Sequence, residues 1–176
     1  MIETDQLIAL FNHTFSDLHT ELVRGDDEPL YRPRSDDQSN HHIIFAHGFF
    51  ASAMHEIAHW CIAGPQRCER VDFGYWYKPD GRTEQEQVLF EQVEVKPQAL
   101  EWILTIAAGH RFHLSADNLS LKRDTRAFAK RVAQQAQRYR EQGLPNKAER
   151  CVKMLLKHSN NHQSLASYPF SFDQLR

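Results

Sequence analysis

A mainly helical α+β domain with a small sheet is the fold this sequence predicts, and three observations predict it. Most of the chain carries apolar residues at three- and four-residue steps, the mark of amphipathic helices. Strand-like runs are short and few. With 176 residues, 41% of them hydrophobic, the chain is long enough to close one core without disulfide staples, so residues 1–176 are expected to form a single domain.

Leu7, Phe11, Phe15, Leu18 and Leu22 share one helical face behind Thr4, an expected N-cap, and predict a first helix lying on the core. Arg24 to Asn40 is rich in charge and proline with little to bury, and reads as a long loop without regular structure, a candidate flap over a site. Ile43 to Phe45 predicts a short buried strand. A helix from Phe49 to Ile62 follows Gly48 and stops at Ala63-Gly64-Pro65. Val71 to Tyr77 alternates like a strand and ends on the turn Pro79-Asp80-Gly81. Thr83 to Val95 predicts a Glu- and Gln-rich helix. Pro97 suits a first helical position, so a separate helix is expected from there to Gly109, with the break near Lys96. Arg111 to Leu119 reads as a connection. Two C-terminal helices, Arg123 to Gln142 and Asn146 to His158, are split by Gly143-Leu144-Pro145, and Tyr168, Phe170 and Phe172 are expected to dock on the body.

Composition narrows the function classes. A formal charge of -2 gives no overall field toward nucleic acid or an anionic membrane, so direct nucleic-acid binding and membrane association are not expected. No apolar run reaches bilayer length. The segment Met1-Ile2-Glu3-Thr4-Asp5 lacks a basic-then-apolar leader pattern, and Cys61, Cys68 and Cys151 fall in no CxxC pair, which together predict a cytoplasmic protein with reduced thiols. Cys61 and Cys68, seven apart, lack the short spacing of a structural zinc site.

The chemistry concentrates in His55-Glu56-Ile57-Ala58-His59. Four apart on a helix, His55 and His59 aim two imidazoles at one point, the spacing a metal needs, while Glu56 lies round the helix where it can reach a metal-bound water, as in HExxH metallohydrolases. Among Phe49, Phe50, Met54, Ile57 and Trp60, these polar groups would be costly to bury unpaired. A zincin-like metal helix is the expectation. A third ligand should be a carboxylate from the Glu-rich segment, which offers Glu84, Glu86, Glu91 and Glu94. Glu91 shares a face with Val88 and Val95 and is the first choice; Glu94 is the reserve. Such a set suits Zn(II) hydrolysis and non-haem Fe(II) oxygen chemistry alike, so the residues alone leave the metal open.

The strings HEIAHW, EQVLFEQVEVKPQALEW and AAGHRFHLSADNL resemble the bacterial elongation factor P hydroxylases, most clearly from Phe45 to Leu119. The resemblance implies an iron-dependent, monooxygenase-type enzyme that hydroxylates the lysine of elongation factor P already extended with a β-lysyl group. It matches His55 and His59 to the family's histidine pair and a glutamate of FEQVEVKP, Glu91 or Glu94, to its carboxylate. Glu56 is then a base or an organiser of water beside the metal. Most oxygenases with two histidines and one carboxylate present them from a β-barrel in HxD…H order, whereas here one helix carries both histidines.

Two other readings stand beside the hydroxylase. A gluzincin-type zinc peptidase would use Glu56 to deprotonate the metal-bound water and the strand at Val71 to Tyr77 to align a peptide. A noncatalytic, metal-stabilised binding module would close the site with four protein ligands. Lesser features are Tyr75, Trp76 and Tyr77 as a channel wall, Asp117-Asn118 as pocket or cap, and Asp26-Asp27-Glu28 with Asp36-Asp37 as the acidic mouth of a channel for a lysyl arm. The reductant and the oligomeric state have no signature in the chain.

Overall fold

In a computed structural model, the structure describes residues 1–71, 82–115, 124–159 and 164–175. Among them the fold is mainly helical α+β with a small sheet, as the periodicity predicts. No helix of the described residues is long and apolar enough to cross a membrane.

The first helix, α1 (Thr4–Thr14), ends earlier than the apolar spacing suggests. A 3-10 turn over Ser16–Leu18 follows, and His19 in the left-handed region (φ 48) swings the chain into a strand, β1 (Thr20–Arg24). The expected helical face is split: Leu7, Phe11 and Phe15 are buried from the helix and its cap, and Leu22 from the strand, while Leu18 is exposed. Apolar spacing alone cannot see such a break, which here falls on Ser16 and Asp17, residues that compete for backbone hydrogen bonds. The free edge of β1 is closed by a side chain: Leu22 N–H donates to Asn12 Oδ1 (2.7 Å) and Asn12 Nδ2 donates to Leu22 O (3.4 Å).

The segment from Arg24 to Asn40 is not a structureless loop. It contains β2 (Leu30–Arg32) and a bridge between Ser35 and Gln38. β3 (His41–Phe45) lies in the middle of the sheet, parallel to β1 and antiparallel to β2. Two residues hold β2 in place despite its polar sequence. Leu30 pairs with Ile44, and the Tyr31 hydroxyl donates to the Cys68 carbonyl (2.9 Å) while lying 2.9 Å from His41 Nδ1.

The central helices are α2 (Phe50–Ile62) and α3 (Glu84–Ala107). The second overturns the expected break near Lys96: one helix runs through Pro97. Proline removes the N–H that would bond the carbonyl of Val93. Val93 is 52% exposed, so water can take that carbonyl, and the Pro97 ring itself is buried in the packing. The helix opens on a capping box in which Thr83 N–H donates to Glu86 Oε2 (2.7 Å) and Glu86 N–H to Thr83 Oγ1 (3.3 Å). Continuity matters for the site, because it keeps residues on both sides of Pro97 in register on one face.

α4 (Arg126–Gln142) begins three residues later than expected, and α5 (Asn146–His158) has the expected bounds. The tail docks: Tyr168 and Phe170 are buried edge-on against Trp102, their carbonyls taken by Arg140 Nη1 (2.9 Å) and Gln137 Nε2 (3.2 Å). One cluster of buried side chains joins α1, the sheet and the four other helices, from Ile2 to Phe170. The strand expected at Val71 to Tyr77 and the Asp117-Asn118 pair fall almost wholly in residues 72–81 and 116–123, outside the described residues.

Candidate metal centre

α2 is buried nearly all round, through Ala53, Met54, Ile57, Ala58, Trp60 and Cys61. Its C-terminal carbonyls, which no helix satisfies internally, are met by Lys147 of α5: Nζ donates to Trp60 O (2.6 Å) and Ala63 O (3.1 Å) and sits 4.3 Å from the Trp60 ring centroid. The helix that carries the histidines is thus fixed by packing along its length and by charge at its end.

Facing it, α3 buries a row of polar residues: Gln87, Glu91, Glu94, Gln98, Glu101 and Thr105. They recur at alternating steps of four and three, the spacing of a helical seam normally filled by apolar side chains. A buried polar seam must be paired, and the middle of it is paired with α2. His55 Nδ1 lies 2.8 Å from Glu101 Oε2. On the other side of the same ring, His55 Nε2 lies 3.1 Å from His59 Nε2 and 3.8 Å from Glu94 Oε2. His59 Nε2 is 3.1 Å from Glu94 Oε1. Gln98 braces that carboxylate, its Nε2 donating to Glu94 Oε2 (3.4 Å) and to Ser115 O (2.7 Å), while Ser115 N–H donates to Gln98 Oε1 (3.1 Å).

His55, His59 and Glu94 form the one group among the described residues whose donor atoms converge closely enough to share an ion. Donors about 2.0–2.2 Å from a common metal stand roughly 3 Å apart, and the separations of 3.1, 3.1 and 3.8 Å match that scale. The charge fits as well. Glu56, Glu94 and Glu101, each less than a tenth exposed, put three carboxyl groups against two imidazoles, and a divalent cation would take the place of the proton that His55 otherwise carries among them. No cysteine belongs to the group; Cys61 and Cys151 are buried free thiols with sulfurs 3.9 Å apart.

Glu91, the first choice for the third ligand, is buried but turned elsewhere: its Oε2 accepts from Arg131 Nη2 of α4 at 2.8 Å. Glu94, the reserve, is the carboxylate beside the imidazoles. The apolar neighbours Val88 and Val95 mark the inward arc of the helix, but that arc is wide enough to face α4 at Glu91 and α2 at Glu94. Glu84 and Glu86 lie in the first turn, exposed or half-exposed, Glu86 in the capping box. Glu101 and Gln98 were not anticipated. The alternation of steps from Gln87 to Thr105 is the signal that marks them, and it shows only on a helix unbroken at Lys96.

Glu56 lines a small cavity of about 30 Å³ together with Tyr31, Ile43, His59, Trp60 and Arg67. That space admits roughly two water-sized groups. Burial pushes the Glu56 carboxyl pKa up, and the positive character of His55 and His59 only partly offsets it. Burial works the other way on His55, but Glu101 above all, then Glu94 and Glu56, outweigh it and hold its pKa up at about 10. Burial would also raise Glu94, yet its hydrogen bond and attraction to His59, with His55 and Gln98 behind, keep its carboxyl below the usual range. Several other histidines have plain structural partners: His110 with Ile2 O (2.7 Å), His158 with Met154 O (2.9 Å) and His41 with Tyr31.

The sign of the His55 shift sets a pH dependence. Below about 10 the metal-free site holds a proton on His55 that an incoming cation must displace. Uptake should release about one proton, and affinity should rise roughly tenfold per pH unit through the neutral range. Chelator-competition titrations at several pH values would check this; an affinity flat with pH would contradict it.

Residues 10–168 match the family described as Elongation factor P hydroxylase. A protein of Haemophilus influenzae named elongation factor P lysine hydroxylase is 52% identical over 154 residues, which cover 86% of this chain and 86% of that protein.

Proposed function

Because the chain belongs to the elongation factor P hydroxylase family, we propose that it hydroxylates a lysine of elongation factor P with a divalent metal held by His55, His59 and Glu94. The observation that carries the metal assignment is the convergence of the two Nε2 atoms and the Glu94 carboxylate, at 3.1 and 3.8 Å, between two buried helices. The ion is Fe(II) in this reading, which suits the ligand set and would supply the redox chemistry by which dioxygen puts one atom into a C–H bond and leaves the other as water, with two electrons from an external reductant and two protons. The chain's own residues prepare the site: two histidines and a single carboxylate leave positions open, Gln98 and the helix fix Glu94, and Glu56, with its raised pKa, can hold or pass a proton at the cavity wall. Residues 1–176 act as one hydroxylase domain, and a translation factor as substrate puts the reaction in the cytoplasm.

Access supports a long, thin substrate group. The side chains of His55 and His59 are only 18% and 15% exposed, so a group presented by a folded protein reaches them only on an extended arm. The β-lysylated lysine implied by the family is such an arm. Asp26, Asp27, Glu28, Asp36 and Asp37, all exposed on the connections flanking β2, would meet its ammonium charges on the way in, and Tyr31 of β2 lines the cavity beyond.

The test is mass spectrometry of elongation factor P after incubation with the protein, Fe(II) and a reductant, with the lysine presented with and without its β-lysyl extension. A gain of one oxygen on the extended form alone is the expected result. Equal oxidation of free lysine would overturn the arm, and cleavage of the factor without oxygen gain would favour the zinc peptidase reading. Glu56→Gln separates the two chemistries within one protein: a hydrolase loses all turnover with its water-activating base, whereas the hydroxylase is expected to keep bound metal and a measurable fraction of its rate.

A further inference from the structure

Glu101 sits two helical turns beyond Glu94 on the same face of α3, and the His55 ring lies between the two carboxylates. Its Oε2 meets Nδ1 at 2.8 Å, on the side of the ring turned away from the converging donors, so it does not belong to the group that can share an ion. An imidazole on a helix can turn about its Cβ–Cγ bond and offer either nitrogen. What decides is the partner of the other nitrogen. A carboxylate that is 8% exposed demands a donor, and the donor within reach is Nδ1–H. That bond leaves Nε2 facing His59 and Glu94.

We propose that Glu101 is the positioning residue of the centre, fixing the tautomer and orientation of His55 through the Nδ1–H to Oε2 hydrogen bond so that Nε2 is presented to the metal. This rests on the reading of His55 as a ligand. Glu101 also raises the electron density of the ring through that bond, which strengthens His55 as a donor. The pair reaches across the interface from α2 to α3 and is independent of the Gln98 brace on Glu94, so two separate contacts set the two sides of the site.

The test uses Co(II), whose binding is read without turnover, by chelator competition and by its visible spectrum, in the full chain and in Glu101→Gln, Glu101→Ala and His55→Ala. Glu101→Ala should weaken Co(II) about 10–100-fold, the usual loss when such a partner is removed, and alter the spectrum. Glu101→Gln keeps an acceptor without the charge and should lose less, under about tenfold. If the alanine variant does not fold, the glutamine variant carries the test. Thermal melts of the metal-free proteins separate a structural role, which would lower the melting temperature and leave Co(II) affinity in the folded protein unchanged. Unchanged affinity and spectrum in the Glu101 variants, with binding lost in His55→Ala, would overturn the role of Glu101 and leave the metal site standing. Undiminished binding in His55→Ala would overturn the metal site itself.

Discussion

Replacing His59 with alanine is expected to remove the bound metal and more than about 99% of hydroxylation, with the fold retained. His59 Nε2 is the atom closest to both other donors, 3.1 Å from His55 Nε2 and 3.1 Å from Glu94 Oε1, so its loss opens the centre of the group. The helix does not depend on it. Ala53, Met54, Ile57 and Trp60 anchor α2 in the core, and Lys147 holds its end. His55→Ala should behave alike, with the added cost of leaving Glu101 without its partner. Metal analysis, a hydroxylation assay and circular dichroism on the same preparations check the prediction. Full activity in either variant would contradict it.

Glu94→Gln and Glu91→Gln, three residues apart on one helix, should separate completely. The first removes the charge that faces both imidazoles and is expected to abolish tight metal binding and turnover. The second leaves the centre intact and breaks the ion pair with Arg131, costing about 1–3 kcal/mol of stability, since Glu91 is buried but the Arg131 side chain is 40% exposed. Metal content and denaturant unfolding read the two effects independently. Loss of metal in Glu91→Gln with retention in Glu94→Gln would reverse the assignment of the carboxylate.

How far the sequence could be read follows from which interactions are local. The histidine pair was legible because four residues on one helix fix their common direction whatever the rest of the chain does. The helices α2 and α5 were legible from Gly48, Ala63-Gly64-Pro65 and the break at Gly143-Leu144-Pro145, signals that act within a few residues. The choice between Glu91 and Glu94 was not. Both lie on the inward arc, and only the placement of α4, with Arg131, against one and α2 against the other divides them. Pro97 misled for a related reason: a proline inside a helix leaves an unbonded carbonyl, and the exposure of Val93 that makes this tolerable is a tertiary fact. β1 and β2 were hidden because their hydrogen bonds are supplied by β3 and by Asn12 rather than by any property of Thr20 to Arg24 or Leu30 to Arg32. Glu101 was present in the sequence as part of a four-three alternation, visible only on an unbroken helix.

The centre itself is most directly tested by anomalous diffraction from crystals of the protein loaded anaerobically with Fe(II). One strong peak is expected within bonding distance of His55 Nε2, His59 Nε2 and the Glu94 carboxylate, with Glu101 still on His55 Nδ1 and Glu91 still on Arg131. A peak that engages Glu91, or one that lies away from His59, would contradict it.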